Sequence, residues 1–195
     1  MRGADLPDGL AVLRQEGDRW IDEGRIGGID LTVSSMFEQA DGRLWIGTWN
    51  HGVARITLAS GTDGRLAVAA LERYGESDGL PQLHDNFVQA DDGAPLFSTH
   101  RGLMRFDAKT RRFVPDPRFA TLFGSSTRWV VYGVGAAGPG QLWMQTVDET
   151  SGQKEAGLAR QTAAGMVWEP QALATISGGW IDKIFVDADE GVAWF

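Results

Sequence analysis

A segment of about fifty residues recurs along this chain, and a repeat of that period restricts the fold more than any other feature. Its clearest copy is the string Leu-Trp-Ile-Gly-Thr at 44–48. Related strings end at Thr99 and Thr146, and a last one contains Trp194. Trp143 and Trp194 are 51 residues apart. The sequence therefore predicts several copies of one small structural unit.

Each copy of the repeat contains four short β-rich segments, which we call strands a to d. In the clearest copy Asp41-Gly42 separates strand a from strand b, and Asp-Gly in that position is a strong hairpin signal. Strands this short need neighbours to cover their apolar faces. No long segment has convincing helical periodicity. The predicted fold is all-β: a β-propeller of four-stranded antiparallel blades.

The count of strands divides the chain into three complete blades and a half blade at each end. Residues 1–24 supply strands c and d, and residues 171–195 supply strands a and b. The complete blades are predicted at 25–76, 77–116 and 117–170. The predicted a strands are Thr32–Phe37, Asn86–Gln89, Arg128–Val134 and Ile181–Val186. The chain is either a window cut from a larger propeller, which we favour because Gly-Thr should follow Phe195, or a four-bladed ring closed by its ends.

Composition agrees with a β-rich repeat protein and excludes several functions. The chain has 195 residues, with 26 glycines and eight tryptophans, which suits many turns and regularly placed aromatic residues. A net charge of −8 provides no basic stripe for nucleic acid and does not favour an anionic membrane. Cysteine is absent, which excludes disulfides, thiolate metal sites and cysteine nucleophiles.

The residues of the repeat resemble a known family. The run Asp-Gly-Arg-Leu-Trp-Ile-Gly-Thr at 41–48, followed by Gly-Val-Ala-Arg at 52–55, is similar to the two-component regulator propeller repeat. The Asp-Gly-Leu-Pro connection at 78–81 and the turn at 105–110 are similar too. The third complete copy departs from the family pattern by an insertion, Val147–Ala156, which we expect to form a long loop.

The resemblance implies a function in signalling. In that family such repeats form extracytoplasmic sensor domains of bacterial receptors, whose output domain is a histidine kinase or a diguanylate cyclase. It implies that this chain is a ligand-sensing segment without catalysis, periplasmic as part of an inner-membrane receptor, with a cytoplasmic location as the alternative. It also implies a homodimer in the full-length receptor. We expect no cofactor, no metal, no nucleic acid and no membrane contact by this segment.

Loops on one face of the predicted propeller collect the polar and aromatic residues that could bind a ligand. The d–a and b–c connections share this face, and all three histidines of the chain fall on it. A mouth lined by aromatic, amide and imidazole groups suits a small polar or sugar-like ligand, although surface loops collect polar residues in any protein. The candidate residues are Trp49, Asn50, His51, His84, Asp85, His100 and Arg101.

Other recurring residues are expected to have structural roles. Trp45, Trp143 and Trp194 lie inside strand b and should pack between blades, whereas Trp49 follows the strand and could contact ligand. The arginines that recur on strand c are expected to pair with a carboxylate of the neighbouring blade; they are Arg55, Arg105 and Arg160.

Two alternative functions stay open. The histidine spacings match no compact metal motif, and the acidic turns lack the ligand set of a calcium loop. The Asp-Gly-x-Leu-Trp pattern is nevertheless also similar to streptogramin lyase-like propellers, which use a loop histidine and a bound magnesium ion. This sequence departs from them after Trp45. The third possibility is a scaffold that binds a protein partner around Trp49.

Overall fold

Three four-stranded antiparallel sheets follow one another along the chain, with a two-stranded sheet before and after them. The predicted fold, a partial β-propeller of three complete blades and two half blades, is confirmed. The structure is a computed structural model that describes residues 9–123, 129–148, 150–170, 181, 184–187 and 190–194. Of the predicted strands, Arg128 and residues 182–183 lie outside the described residues, as does Phe195.

The strands are consecutive within each sheet, so every sheet is a simple meander. The first two-stranded sheet contains β1 (Ala11–Glu16) and β2 (Arg19–Arg25). Sheet 1 contains β3 (Val33–Glu38), β4 (Leu44–Thr48), β5 (Val53–Ser60) and β6 (Leu66–Tyr74). Sheet 2 contains β7 (Phe87–Asp91), β8 (Ala94–Thr99), β9 (Gly102–Asp107) and β10 (Arg112–Pro115). Sheet 3 contains β11 (Trp129–Gly138), β12 (Gln141–Asp148), β13 (Lys154–Thr162) and β14 (Gly165–Glu169). The last sheet contains β15 (Phe185–Asp187) and β16 (Val192–Trp194).

Apolar side chains on both faces of the second strand of each four-stranded sheet pack against the two neighbouring sheets. Successive side chains of a strand point to opposite faces. In β4, Ile46 packs against the first two-stranded sheet, and Trp45 packs against sheet 2. In β8, Phe97 faces sheet 1, and Leu96 faces sheet 3. A continuous apolar core therefore runs from each sheet to the next, with the first strands β3, β7, β11 and β15 in successive contact.

Trp45 is the centre of the interface between sheets 1 and 2. Its side chain is only 2% exposed, and its indole N–H donates to Gln39 Oε1 at 2.9 Å. Ring centroids of Phe97 and Phe106, both from sheet 2, lie 5.2 and 5.0 Å from the indole. The guanidinium of Arg55 lies 5.1 Å above the same ring. The indole is thus enclosed by aromatic edges and a cation, both of which its π face attracts.

The backbone of β7 is also bonded to sheet 1. Ser34 Oγ donates to the Asn86 carbonyl at 2.9 Å, and the Val88 N–H donates to Ser35 Oγ at 2.7 Å. Gly47 leaves space for this approach, since a Cβ there would collide with the Asn86 carbonyl. The two hydroxyls therefore fix the first strand of sheet 2 against sheet 1.

The predicted burial of the recurring tryptophans is correct for Trp45 and wrong for Trp194. Trp143 is partly buried and packs against Ala156 and Ile181. Trp194 is 64% exposed. By the alternation of the other sheets, its position in β16 faces away from sheet 3, where no described sheet covers it.

The predicted pairing of the strand-c arginines across blades is also wrong. Arg55 Nε donates to Glu72 at 2.6 Å, and Arg160 pairs with Glu169; both carboxylates belong to the arginine's own sheet. The reason is the ladder register, because Arg55 stands directly opposite Glu72 on β6. It is Arg111, in the turn before β10, that reaches Glu72 from the next sheet, at 2.7 Å.

The insertion Val147–Ala156 is mostly strand and not the long loop that the sequence predicts. β12 continues to Asp148 and β13 begins at Lys154, with Val147 paired to Lys154. Inserted residues that extend both strands equally keep the ladder hydrogen bonds intact, so the hairpin grows longer and its turn stays short.

Replacing Trp45 with alanine should destabilise the chain by about 3–5 kcal/mol, because it removes the largest side chain between sheets 1 and 2 and leaves a cavity. Urea denaturation would measure this loss. The matched control is Trp20→Ala, whose indole is 66% exposed, and which should change the free energy of unfolding by about 0.5 kcal/mol or less. Equal losses for the two variants would contradict the proposed packing.

Glu72→Gln should destabilise the protein in a pH-dependent way. Partial burial opposes ionisation of Glu72, but hydrogen bonds from Arg111 and Arg55 outweigh it and lower the pKa of Glu72 below its ordinary value of 4.5. Its stabilising effect is therefore complete above about pH 4.5 and is lost as the pH falls through the lowered pKa.

The measurement for this variant is denaturation at a series of pH values. The stability difference between the wild type and Glu72→Gln should be largest near neutral pH and shrink in acid. Glu38→Gln, which removes an exposed carboxylate, serves as the control and should give a small difference at every pH. A gap for Glu72→Gln that stays constant down to acid pH would argue against the shared ion pair.

Candidate functional site

The loop between β4 and β5 is a tight turn built around Thr48. Its hydroxyl donates to the Gly52 carbonyl at 2.8 Å and accepts the His51 N–H at 2.8 Å. Gly52 has φ of +72°, a conformation that a glycine adopts without strain. This turn projects Trp49 and Asn50 outward, where both are exposed.

The connection from sheet 1 to sheet 2 is bonded to that turn along its backbone. The Asp85 N–H donates to the Trp49 carbonyl at 3.1 Å, and the Gly52 N–H donates to the Leu83 carbonyl at 2.8 Å. The indole of Trp49 meets the ring of Phe87 edge-on, with centroids 5.3 Å apart. These contacts hold the backbone and the ring of the exposed Trp49 in place.

The side chain of Asn86 is hydrogen-bonded to the backbone of this connection. It is fully buried, and its Nδ2 donates to the carbonyls of Gln82 and His84, both at 3.1 Å. Its Oδ1 is buried without a hydrogen-bond partner in the described part of the chain. Asn86 was not among the predicted site residues, because its sequence position marks only the start of a strand. A polar residue at a buried strand position of the repeat was the available signal.

His100, from the turn after β8, reaches across to the same connection. Its Nε2 lies 3.0 Å from Asp85 Oδ2, and both side chains are partly buried. Asp85 has φ of +52°, which aspartate tolerates better than most residues. The carboxylate is therefore directed toward sheet 2 by a turn that belongs to the connection from sheet 1.

The structure brings together some of the predicted site residues and separates others. Trp49, Asp85 and His100 form one contiguous group, which we call the loop cluster. His51 lies instead near Asp30, whose pKa is lowered mainly by a hydrogen bond from Arg73 and slightly by the His51 charge. Asn50, His84 and Arg101 are exposed nearby in the same loops.

A second concave feature lies at the other end of the strands. It is a groove of about 590 Å³ at the turns that join β3 to β4 and β7 to β8, and sequence reasoning did not predict it. Because β4 and β8 begin at the groove and end at the loop cluster, the two features lie at opposite ends of the sheets. Its lining residues are Gln39, Arg43, Trp45, Arg55, Asp91, Asp92, Ala94, Pro95, Arg105, Phe106, Ala108, Asp116, Pro117 and Arg118.

Most charges in this groove are compensated by neighbours. Arg43 pairs with Asp41, and hydrogen bonds from Arg43 lower the pKa of that carboxyl. Arg118 bonds to the buried Asp116 at 2.6 Å and to Asp91 at 2.7 Å. The hydrogen bond to Asp116 raises the pKa of Arg118 well above its ordinary value. These ion pairs make the groove wall largely neutral despite its many charged residues.

Within the described part of the chain, no group of three or more histidine, aspartate or glutamate residues is placed to hold a metal ion. The described residues also include no helix with the length and apolar character needed to cross a bilayer.

Comparisons with known proteins assign no family to this chain. No family model matches the chain, and a search of curated proteins finds no match. The resemblance to the two-component regulator propeller repeat therefore stays a prediction. Among solved structures, the chain is similar to the extracellular domain of BT4673 from B. thetaiotaomicron, described as a hybrid two component system, with 15% identity and a TM-score of 0.47.

The alignment with BT4673 covers 84% of this chain and 28% of that chain, so the chain spans less than a third of it. The chain is also similar to the calcium structure of Trichoderma reesei Carbohydrate-Active Enzymes Family AA12, with 18% identity and a TM-score of 0.41. That alignment covers 90% of this chain and 42% of the other. At such identities the likeness has no bearing on what this chain binds.

Asn86→Ala should loosen the loop cluster more than it harms the sheets. Losing two side-chain hydrogen bonds should cost about 1–3 kcal/mol of global stability. The amide hydrogen of Asp85 should exchange with solvent faster than in the wild type. The amide hydrogens within β4 and β8 should lose no more protection than the measured loss in the free energy of unfolding accounts for. Hydrogen exchange followed by NMR would measure both. Asn50→Ala is the control, since Asn50 is exposed and should leave the exchange rates unchanged.

Proposed function

We propose that this chain is the ligand-sensing segment of a bacterial signalling receptor, without catalysis of its own, and that ligand binds at the loop cluster. The observation that carries the proposal is the bond between His100 and Asp85 at 3.0 Å, because it joins residues at the junction of two sheets beside an exposed tryptophan. A ligand that contacts two parts of the fold at once can bind one arrangement of them more tightly than another, and this junction offers such a place.

The chemistry of the loop cluster favours a small polar ligand, sugar-like in character. Trp49 is 45% exposed and offers a flat apolar face on which a sugar ring could stack. Asp85 offers the carboxylate oxygen that does not face His100 for hydroxyl groups, and Asn50 and Arg101 provide further polar groups at the rim. A few polar groups around an aromatic platform are typical of small-molecule sites.

The mechanism would be a population shift. Trp49 directly follows a strand of sheet 1, and His100 directly follows a strand of sheet 2. A ligand that contacts both side chains binds best to the arrangement of the two sheets in which its contacts are complete, and it increases the population of that arrangement. A downstream partner, or the second subunit of a homodimeric receptor, would respond to the new balance. The periplasm is the compartment that this proposal requires.

Binding at the loop cluster can be tested with neutral sugars as probes. The chain would be screened by thermal shift against glucose, galactose, mannose, maltose and cellobiose. Any sugar that raises the melting temperature would then be titrated calorimetrically into variants. Trp49→Ala should weaken binding about tenfold or more, since truncating an aromatic contact residue commonly costs more than about 1 kcal/mol and about 1.4 kcal/mol is tenfold. Trp20→Ala removes an indole on β2 that is 66% exposed, against 45% for Trp49, and is the control. Equal affinity for Trp49→Ala and the wild type would contradict the site.

The receptor context has its own test. Sequencing the genomic DNA around the coding region should reveal further propeller repeats, a membrane-spanning segment and a histidine kinase or diguanylate cyclase in the same reading frame. A reading frame that encodes a secreted hydrolase around these repeats would contradict the sensor proposal, even if a sugar binds at Trp49.

A further inference from the structure

The groove at the other end of the sheets contains Arg105, which lacks the two contacts that the equivalent arginine of sheet 1, Arg55, makes. Arg55 and Arg105 occupy the same place on the third strand of sheets 1 and 2. Arg55 is held by two contacts, the carboxylate of Glu72 opposite it and the indole of Trp45. In sheet 2, Val114 stands opposite Arg105, and Leu96 replaces the tryptophan.

The surroundings of Arg105 do not supply a substitute partner. Among the described residues, none forms an ion pair with its guanidinium, although the side chain is exposed in the groove. Asp91 and Asp116 both form ion pairs with Arg118, and Asp92, the third carboxylate that lines the groove, is exposed and forms no ion pair in the described part of the chain. Asp107 lies close enough for the Arg105 charge to contribute to its lowered pKa, but its carboxylate is engaged by the Thr110 hydroxyl and the Lys109 N–H.

The groove is large enough for a small organic ligand and offers apolar surface next to this charge. Arg105 and Phe106 are adjacent in β9 and point to opposite faces of sheet 2, so a groove lined by both passes over the end of the sheet. Ala94, Pro95 and Pro117 also line the groove. A volume of about 590 Å³ is in the range of small-molecule sites.

We propose that this groove is a second ligand site, separate from the loop cluster, and that Arg105 binds the carboxylate of a small organic acid of sugar size. The guanidinium presents a planar fork of donors that matches a carboxylate with two parallel hydrogen bonds. Arg118, Arg43 and Arg55 are already neutralised, so among the groove residues that the structure describes Arg105 is the guanidinium available for this contact. The body of the ligand lies against the apolar wall.

The test uses two probes that differ only at the group in question. D-Glucuronate and D-glucose share a ring, and only glucuronate has a carboxylate at carbon 6. Each would be titrated into the isotopically labelled 195-residue chain and followed by NMR, which detects weak binding and locates it. Glucuronate should shift the amides of Ala94, Arg105 and Phe106, and glucose should not.

Two variants complete the test. Arg105→Gln should weaken glucuronate binding about tenfold or more while leaving the spectrum otherwise dispersed as in the wild type. Arg19→Gln removes the same charge from exposed strand β2 and should bind as the wild type does. Glucuronate shifts that persist in Arg105→Gln, that glucose reproduces, or that map to Trp49 and His100 would overturn the proposal. The last of these outcomes would leave the loop cluster as the ligand site, so the two proposals can fail separately.

Discussion

The enclosure of the Trp45 indole between two sheets is the interaction on which the rest of the fold depends. One side of the ring is contributed by its own sheet, through Tyr74 and Arg55, and the other by Phe97, Phe106 and Phe113 of the next. An isolated sheet would leave the indole in water and would lose the free energy gained from its burial. The indole therefore makes the two sheets mutually dependent, and it fixes the junction at whose ends the loop cluster and the groove lie.

The junction has a polar layer as well as an aromatic one. Glu72 accepts hydrogen bonds from Arg55 of its own sheet and from Arg111 of the next, so one carboxylate joins two sheets. Ser34 and Ser35 bond the backbone on either side of Phe87, which in turn supports Trp49. Residues far from the candidate ligand site thus determine the orientation of its exposed tryptophan.

Sequence reasoning predicted the features that depend on periodicity. The repeat, the four strands of each sheet and the inward position of Trp45 all follow from the alternation of apolar residues and the spacing of turns. It was wrong about Arg55 and Arg160, because the partner of a strand residue depends on register, and register is fixed by the full set of cross-strand contacts. It was wrong about Trp194 because burial depends on a neighbouring sheet, which strand position alone does not provide.

For the loop cluster, too, the location of the residues could be predicted from the sequence and their contacts could not. The sequence placed Trp49, Asp85 and His100 on one face, since loop positions follow from strand order. Their actual contacts depend on the left-handed backbone at Asp85, which has no distinct sequence signal, and on the buried Asn86 that follows it. The groove was missed because it has no motif, although aligning the copies shows Val114 and Leu96 where Arg55 has its partners.

The second strand of each four-stranded sheet packs one face against the preceding sheet and the other against the following sheet. Because these neighbours differ, the three similar repeats cannot replace one another. Trp45 fits the aromatic set of sheet 2, whereas sheet 3 offers smaller residues such as Ala159 and Met166 at its interface with sheet 2. Excising sheet 2 would leave the indole opposite a surface that cannot enclose it. Each repeat is therefore specific for its neighbours, and any rearrangement of the copies would have to transfer both sides of an interface together.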